Sequence, residues 1–232
     1  MGILHKHNPL LHSKLSKYIK TNDSDGLTAF VQSLSVSEFR TAGFMLAEDV
    51  LVQAEDEAFW NFFFTLVTTN AKAFLGTCLK AAVKKYKSQQ LTLNFVEWQQ
   101  FAVECTVIDR KKVMEAFLPC LRTYQEVRSF VKSMSKEEGE AKWAYPYLLK
   151  AQTLPCLYIL FELLKIADGE QVNQCVVQLI KMNTPLAYNM ANILKRYFGI
   201  NHIPVTFSKH IEDYQLNRLD QGYESFKKLL VH

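Results

Sequence analysis

Seven basic side chains are the residues of this chain whose types and spacing most directly suggest chemistry. They fall in two short segments and comprise Lys80, Lys84, Lys85, Lys87, Arg110, Lys111 and Lys112. Lys80, Lys84 and Lys87 lie four and three residues apart, which places them on one face of a helix. Closely spaced cations bind phosphate groups or an acidic protein surface, because an anion relieves their mutual repulsion. A helix face that is only solvated has the same composition, so the pattern leaves both interpretations open.

Three aromatic residues form a second candidate site, which suits a protein partner. Trp143, Tyr145 and Tyr147 follow the polar stretch Ser135–Ala141. Large aromatic side chains beside an exposed polar segment are typical of binding hot spots, where they fill a pocket and exclude water. The alternative is that they fill the interior of the fold, as most aromatic residues of helical proteins do.

Cysteine is the residue type that could supply a nucleophile here. The chain has five, at Cys78, Cys105, Cys120, Cys156 and Cys175. Each lies in an apolar helical stretch, without an adjacent feature in the sequence that would lower the pKa of its thiol. We therefore predict buried, unreactive thiols. Their odd number and wide spacing do not suit a secreted disulfide framework, so we expect a cytoplasmic location.

Three histidines near the start of the chain could be interpreted as metal ligands. They are His5, His7 and His12. Helical metal ligands usually lie at positions i and i+4, and they are completed by further Cys, His or carboxylate groups, which this segment lacks. A di-metal helical bundle needs a Glu-x-x-His element on two helices, and the sequence contains none. We therefore predict no metal site and no cofactor.

The composition favours a helical protein without a dominant charge. The 232 residues are 49% hydrophobic and 22% charged, which is enough to bury an extended core. Eight glycines and six prolines are few for the turns of a β-sandwich or barrel. The formal net charge of +4 is far below that of a dedicated nucleic-acid-binding arm. The longest apolar runs, near Ala58–Val67 and Leu154–Leu164, are too short to span a membrane, and we expect no signal peptide.

Recurring helix-capping residues indicate how the candidate residues are positioned. A Ser, Thr or Asp lies between apolar-periodic stretches at intervals of about 31 to 44 residues. These predicted helix starts are Ser35, Thr69, Asp109, Thr153 and Thr184. Ser35 and Glu38 form a capping box, and Thr184 precedes Pro185, a favoured first residue of a helix. Such spacing is typical of helical hairpins that must bury their apolar faces against one another.

Two of the predicted helices have apolar residues on more than one side. The first carries one stripe of Phe59, Phe62, Phe63 and Leu66 and a second stripe of Trp60, Phe64 and Val67. The second, Leu154–Ile166, is apolar nearly all round. We expect both to be covered by neighbouring elements, because a surface helix has only one apolar face.

The sequence therefore predicts an all-α protein without a β-sheet. We expect antiparallel helical hairpins to stack into an α-solenoid, an arrangement that resembles in a general way the HEAT and armadillo class. A compact irregular helical bundle is the alternative, because the intervals between helix starts are uneven. We expect a single domain over residues 1–232, in which 1–199 form the hairpin stack and 207–232 form one or more capping helices.

Three functions are consistent with these features. The first hypothesis is a non-catalytic protein-interaction or scaffold module, since the spacing of a helical repeat occurs without a reactive motif. The second is nucleic-acid binding along a basic ridge that runs from Lys80 to Lys112. The third, which we rank last, is an enzyme whose catalytic residues come from distant parts of the chain. Another protein is thus the partner that we expect first, and nucleic acid is the alternative.

Overall fold

The computed structural model describes residues 8–45, 51, 54–68, 75–137 and 141–203, and its regular structure there is entirely helical. The α-helices are α1 (Pro9–Lys20), α2 (Ser24–Gln32), α3 (Val36–Met45), α4 (Asp56–Thr68), α5 (Leu75–Lys87), α6 (Phe95–Glu104), α7 (Val107–Phe117), α8 (Tyr124–Ser133), α9 (Tyr145–Ala151), α10 (Leu154–Leu164), α11 (Gly169–Met182) and α12 (Pro185–Phe198). Two 3-10 helices span Leu118–Cys120 and Lys142–Ala144. Because these ranges contain no β-strand, the predicted all-α class is confirmed.

The helices form two compact units. The first unit contains the described residues of Met1–Cys120 together with Ser133–Lys136. The second contains those of Leu121–Lys132 and Glu137–His232. A single domain over the whole chain stays a prediction, and the predicted capping segment 207–232 lies outside the described residues.

Local hydrogen bonds explain why several helices begin where the sequence predicts. At the start of α3, the Ser35 amide donates to Glu38 Oε2 at 3.0 Å, and the Glu38 amide donates to Ser35 Oγ at 3.4 Å. At the start of α12, the Ala187 amide donates to Thr184 Oγ1 at 3.3 Å. Thr153 precedes α10 in an extended backbone conformation, without a hydrogen bond from its own side chain to the helix. The helix starts predicted at Ser35, Thr153 and Thr184 are therefore confirmed.

The helix start predicted at Asp109 is wrong by a few residues. α7 begins at Val107, because the hydroxyl of Thr106 accepts from the Asp109 amide at 3.2 Å and donates to Asp109 Oδ2 at 2.7 Å. Asp109 thus lies inside the first turn, where its charge suits the positive end of the helix dipole. Thr69, the remaining predicted start, lies outside the described residues.

Aromatic rings from α4, α6 and α7 form the core of the first unit. The buried rings are Phe59, Phe62, Phe63, Phe64, Trp60, Trp98, Phe101 and Phe117. The ring of Trp98 lies 5.0 Å from that of Phe64 and 5.2 Å from that of Phe117, both edge to face, which is a favoured geometry of aromatic pairs. The two apolar stripes predicted for α4 are therefore confirmed for the side chains that the structure describes.

α10 supplies much of the core of the second unit. Seven of its side chains are buried, namely Cys156, Leu157, Tyr158, Ile159, Leu160, Phe161 and Leu164. Buried residues at consecutive positions cover every direction around a helix, so the predicted burial on nearly all sides is confirmed. The helix ends at Leu164, two residues before the predicted end, and Ile166 is exposed.

Candidate functional site

The three predicted partner-binding residues lie at the start of α9 in the second unit. Trp143 is half-buried in the 3-10 helix Lys142–Ala144, while Tyr145 and Tyr147 are each only 8% exposed. The Tyr145 hydroxyl donates to the Leu163 carbonyl at 3.1 Å. Burial raises the pKa of Tyr145 to about 12. Most of this aromatic surface therefore packs against its own chain, and a partner-binding role stays a prediction.

Tyr145 borders an open groove between α9 and α11. The groove has a volume of about 880 Å³. Its apolar lining comes from Tyr145, Pro146, Leu149, Cys175, Val177 and Met182. Its polar lining comes from Lys142, Glu170, Gln171, Asn173, Gln174, Gln178 and Lys181. Seven of the thirteen lining residues are polar or charged, although most of the exposed lining surface is apolar. Apolar surface edged by polar groups is the usual anatomy of a protein-binding surface.

The α11 side of this groove carries a row of glutamines that sequence reasoning missed. Gln171, Gln174 and Gln178 lie three and four residues apart and therefore share one face of α11. The Gln174 amide donates to Glu170 Oε1 at 3.1 Å. The side-chain oxygen of Gln171 is buried and has no hydrogen-bond partner among the described residues. A buried amide oxygen without a hydrogen bond has a free-energy cost, so this position is set by packing within the chain.

The ionisable groups of the groove suit binding better than catalysis. Burial raises the pKa of the Cys175 thiol to about 11, so the thiol stays protonated near neutral pH. The raised pKa of Tyr145 likewise keeps its hydroxyl neutral. Lys142, Glu170 and Lys181 are exposed. A nucleophile or general base needs a pKa close to the working pH, and neither buried group meets that condition.

The predicted basic ridge belongs to the first unit, and some of its side chains are exposed whereas others are buried. α5 and α7, which carry them, pack against each other. The exposed members are Lys80, Lys84, Lys87, Lys111 and Lys112. Lys85 and Arg110 are buried instead, so they offer little surface to an external anion. Anion binding by the exposed lysines stays a prediction.

Lys85 has a structural role that the lysine run conceals. Its ammonium donates to the Ala54 carbonyl at 2.8 Å and lies 5.4 Å from the centre of the Phe59 ring. Burial lowers the pKa of Lys85, and the negative charge of Asp56 partly opposes that shift. The side chain therefore links α5 to the segment just before α4.

Replacing Lys85 tests that structural role. Lys85→Ala is expected to lower the free energy of unfolding by about 1.5–3 kcal/mol, because it removes a charged hydrogen bond to Ala54. Lys84→Ala is the matched control on the exposed side of α5, and it is expected to change the free energy by less than about 0.5 kcal/mol. Urea unfolding followed by circular dichroism measures both variants. Equal effects would contradict the structural role.

The cysteines match the predicted pattern in large part. None of the five forms a disulfide, and only Cys120 is more than slightly exposed. Burial raises the pKa to about 12 for Cys78 and Cys105 and to about 11 for Cys156 and Cys175. The prediction of buried thiols is confirmed for those four, and Cys120 is partly exposed instead.

Thiol labelling should separate Cys120 from the rest. At about pH 8, a thiol with a pKa of about 11 is ionised to roughly one part in a thousand, so it reacts slowly even when reagent reaches it. Iodoacetamide is therefore expected to modify one thiol of the native protein first, at Cys120, and the other four only after unfolding. Cys120→Ser should remove the early modification detected by mass spectrometry. Early labelling of a second position would contradict the burial.

Of the three N-terminal histidines, only His12 lies among the described residues. His5 and His7 lie outside the described residues, and His12 Nδ1 is 3.5 Å from the hydroxyl of Ser16 on α1. Within the described residues, no three His, Cys, Asp or Glu side chains are grouped so that they could hold a metal ion. No helix in the same ranges is long and apolar enough to cross a membrane.

Comparisons of the chain with protein-family models, with curated protein sequences and with solved structures gave no significant match. A fold class alone does not identify a function, so the function of this protein has to be inferred from the chemistry of its surfaces.

Proposed function

We propose that this chain is a non-catalytic protein-interaction module that binds a segment of another protein in the groove between α9 and α11. The observation that carries the proposal is the groove itself, which is open, mostly apolar at its base and about 880 Å³ in volume. The exposed ends of Gln174 and Gln178 lie along one side, and Lys142 lies on the other. Apolar anchors surrounded by polar groups are the usual anatomy of a protein-binding surface.

The lining indicates what the bound segment would contain. Tyr145, Leu149 and Cys175 offer apolar surface at the base, which suits Leu, Met or aromatic side chains of the partner. The exposed side-chain amides of Gln174 and Gln178 can exchange hydrogen bonds with polar groups beside that anchor. We therefore expect an amphipathic helix or an extended segment that carries an apolar anchor beside polar groups.

We also propose that the hairpins stack as an α-solenoid of the HEAT and armadillo kind. The support is the pattern of packing within each unit, where helices contact both the next helix and the one after it. In the first unit α4 packs against α5 and α6, and in the second unit α9 packs against α10 and α11. A crystal structure tests this: a solenoid requires successive hairpins related by similar rotations, and a compact bundle does not. A cytoplasmic location is part of the same proposal, because none of the five cysteines forms a disulfide.

Site-specific crosslinking in cells that naturally carry the protein tests the groove. A photoreactive amino acid is placed at Gln174 or Gln178, which are exposed on the groove side of α11, or at Arg196, which is exposed on α12 and does not line the groove. The groove positions are expected to form a discrete covalent adduct with one protein. Arg196 is expected to form none.

A blocking variant shows whether the adduct depends on the groove. Gln178→Trp places a large ring over the apolar base, and Arg196→Trp is the matched change on α12. We expect Gln178→Trp to abolish the Gln174 adduct and Arg196→Trp to leave it unchanged. The proposal fails if the groove positions give no more adduct than Arg196 does, or if the blocking variant has no effect.

Nucleic-acid binding is a second candidate, favoured by one observation in the first unit. Lys80, Lys84 and Lys87 on α5 are exposed, and α5 packs against α7, which carries exposed Lys111 and Lys112. Binding to phosphates releases counterions, so affinity for duplex or single strands should fall steeply as salt rises. A titration at low and moderate salt measures this dependence, and affinity that ignores salt would exclude the candidate.

A further inference from the structure

Residues 204–232 follow Ile203, the last described residue, and their sequence carries a row of large apolar side chains. The row consists of Leu219, Tyr223, Phe226 and Leu230. Intervals of four, three and four residues place all four on one face of a helix. A short amphipathic helix is marginal in water unless another surface covers its apolar face. We therefore expect the segment 216–232 to pack its apolar row against another surface.

The groove between α9 and α11 is an open apolar surface of nearly matching length. Its lining extends along α11 from Glu170 to Met182, which is about 18 Å on a helix. Leu219 and Leu230 are eleven residues apart, or about 16 Å. A helical segment would therefore lay its apolar row along almost the whole groove, whose base suits Leu and aromatic side chains.

The described chain ends close to this groove. Asn183 and Thr184 alone join α11 to α12, and the two helices pack along each other as an antiparallel hairpin. The end of α12 therefore lies near the start of α11, where the groove begins. Beyond α12, the Lys195 ammonium donates to the Ile203 carbonyl, so the residues that follow start beside α12.

The nearest alternative surface, the outer side of α12, fits the apolar row less well. Opposite its buried face, α12 carries Asn189, Asn192 and Arg196, which are polar. The basic and acidic residues of 204–232 are equal in number, so net charge does not direct the segment to one surface. The apolar base of the groove is therefore the better match.

The connection is long enough to bring the row into the groove. Residues 204–218 reach at most about 50 Å when extended, whereas α11 is about 21 Å long. Tethering by such a connection gives the segment an effective concentration of about 1 mM at the groove. With an intrinsic dissociation constant of about 0.1 mM, the groove would be filled about ten times as often as it is empty.

We propose that the segment 216–232 of this chain occupies the groove between α9 and α11 as an amphipathic helix and competes there with the partner protein. The competition rests on the proposed function, whereas the contact between the segment and the groove stands without it. A partner then binds only a chain whose segment has left the groove, which lowers the partner's apparent affinity by about tenfold.

Photocrosslinking within the purified full chain tests the contact. A photoreactive amino acid is placed at Gln174 or Gln178 in the groove, or at Gln125, which is exposed on α8 and does not line the groove. After irradiation, mass spectrometry is expected to find crosslinks from the groove positions to peptides of 216–232. Gln125 is expected to give at least about tenfold less of them.

Variants of the segment show whether the apolar row makes the contact. Tyr223→Ser with Phe226→Ser, the ring variant, is expected to reduce the Gln174 crosslink by about tenfold or more, because it removes two apolar anchors. Gln221→Ser with Lys228→Ser is the matched control, since these residues lie on the opposite side of the same helix. This control pair should crosslink like the parent protein. In cells, the ring variant is expected to give about tenfold more adduct between Gln174 and the partner when the partner is not saturating.

Three outcomes would overturn the proposal. The first is that the groove positions crosslink to 216–232 no more than Gln125 does. The second is that the control pair loses the crosslink as fully as the ring variant does. The third is a crosslink between isotope-labelled and unlabelled chains in a mixture, which would place the segment of a second copy in the groove.

The same measurements separate this contact from the proposed function. An intrachain crosslink without any cellular adduct, even in the ring variant, would exclude the proposed function and support the contact. A cellular adduct without an intrachain crosslink would exclude the contact and support the proposed function.

Discussion

Trp98→Ala is expected to lower the free energy of unfolding by about 3–5 kcal/mol, because it empties the centre of the first unit's core. Trp98 has no exposed surface, and the centre of its ring lies 5.0 to 5.4 Å from those of Trp60, Phe64 and Phe117. Three helices supply these rings, so none of them can move into the cavity without disturbing the others. A loss of this size is a large part of the 5–15 kcal/mol that typically stabilises a domain.

A more conservative change at the same position provides the control. Trp98→Phe keeps a ring in the cluster, and it is expected to lower the free energy of unfolding by about 1–2 kcal/mol. Urea unfolding followed by far-ultraviolet circular dichroism measures both, because this signal does not depend on the tryptophan that is removed. A cost below about 1 kcal/mol for Trp98→Ala would mean that the aromatic cluster is not the main support of the first unit.

Helix starts are the part of this fold that the sequence predicts best. The bonds that cap α3 and α12 join residues only three positions apart, Ser35 with Glu38 and Thr184 with Ala187. A contact so short in sequence is visible as a local pattern, whatever surrounds it. The prediction for α7 is less accurate. Thr106 and Asp109 are both good capping residues, and the hydroxyl of Thr106, three positions before Asp109, caps the helix.

The direction in which a side chain points is harder to predict, because it depends on distant parts of the chain. Lys85 directly follows Lys84 in a lysine-rich part of α5. Its hydrogen-bond partner, the Ala54 carbonyl, lies 31 residues earlier in the chain. The helical period separates Lys85 from the exposed face of Lys80, Lys84 and Lys87 and places it beside buried Ala81 and Ala82, but it does not reveal the Ala54 partner. The predicted ridge therefore contains members with opposite environments.

The candidate groove shows the same limit. Its α9 side includes Tyr145, which the sequence marks by aromatic composition beside a polar stretch. Its α11 side comes from residues about 25 positions later, and only the packing of α9 against α11 brings the two together. The glutamines at Gln171, Gln174 and Gln178 were a usable signal, since they form a continuous polar row beside the apolar face of α11. Neither signal reveals a groove until the helices are packed.

Phe161→Ala is expected to destabilise the second unit as strongly as Trp98→Ala destabilises the first, by about 3–5 kcal/mol. Phe161 is fully buried on α10, and its ring lies 4.9 Å from that of Tyr197 and 6.4 Å from that of Phe198, both on or at the end of α12. Removing the ring leaves a cavity between two helices that pack through it. The Lys165 ammonium, 5.0 Å from the ring, also loses its aromatic contact.

The neighbouring Ile166 supplies the contrast for Phe161. Ile166 is 69% exposed, so Ile166→Ala shortens the side chain without creating a cavity. The free energy of unfolding is therefore expected to change by less than about 0.5 kcal/mol. Phe161→Leu retains part of the buried volume and should cost about 1–2 kcal/mol. Thermal and urea unfolding should therefore rank the variants as Ile166→Ala, Phe161→Leu and Phe161→Ala in order of increasing loss. If Phe161→Ala were no worse than Ile166→Ala, α10 and α12 would not depend on this ring, and the core of the second unit would have to lie elsewhere along α10.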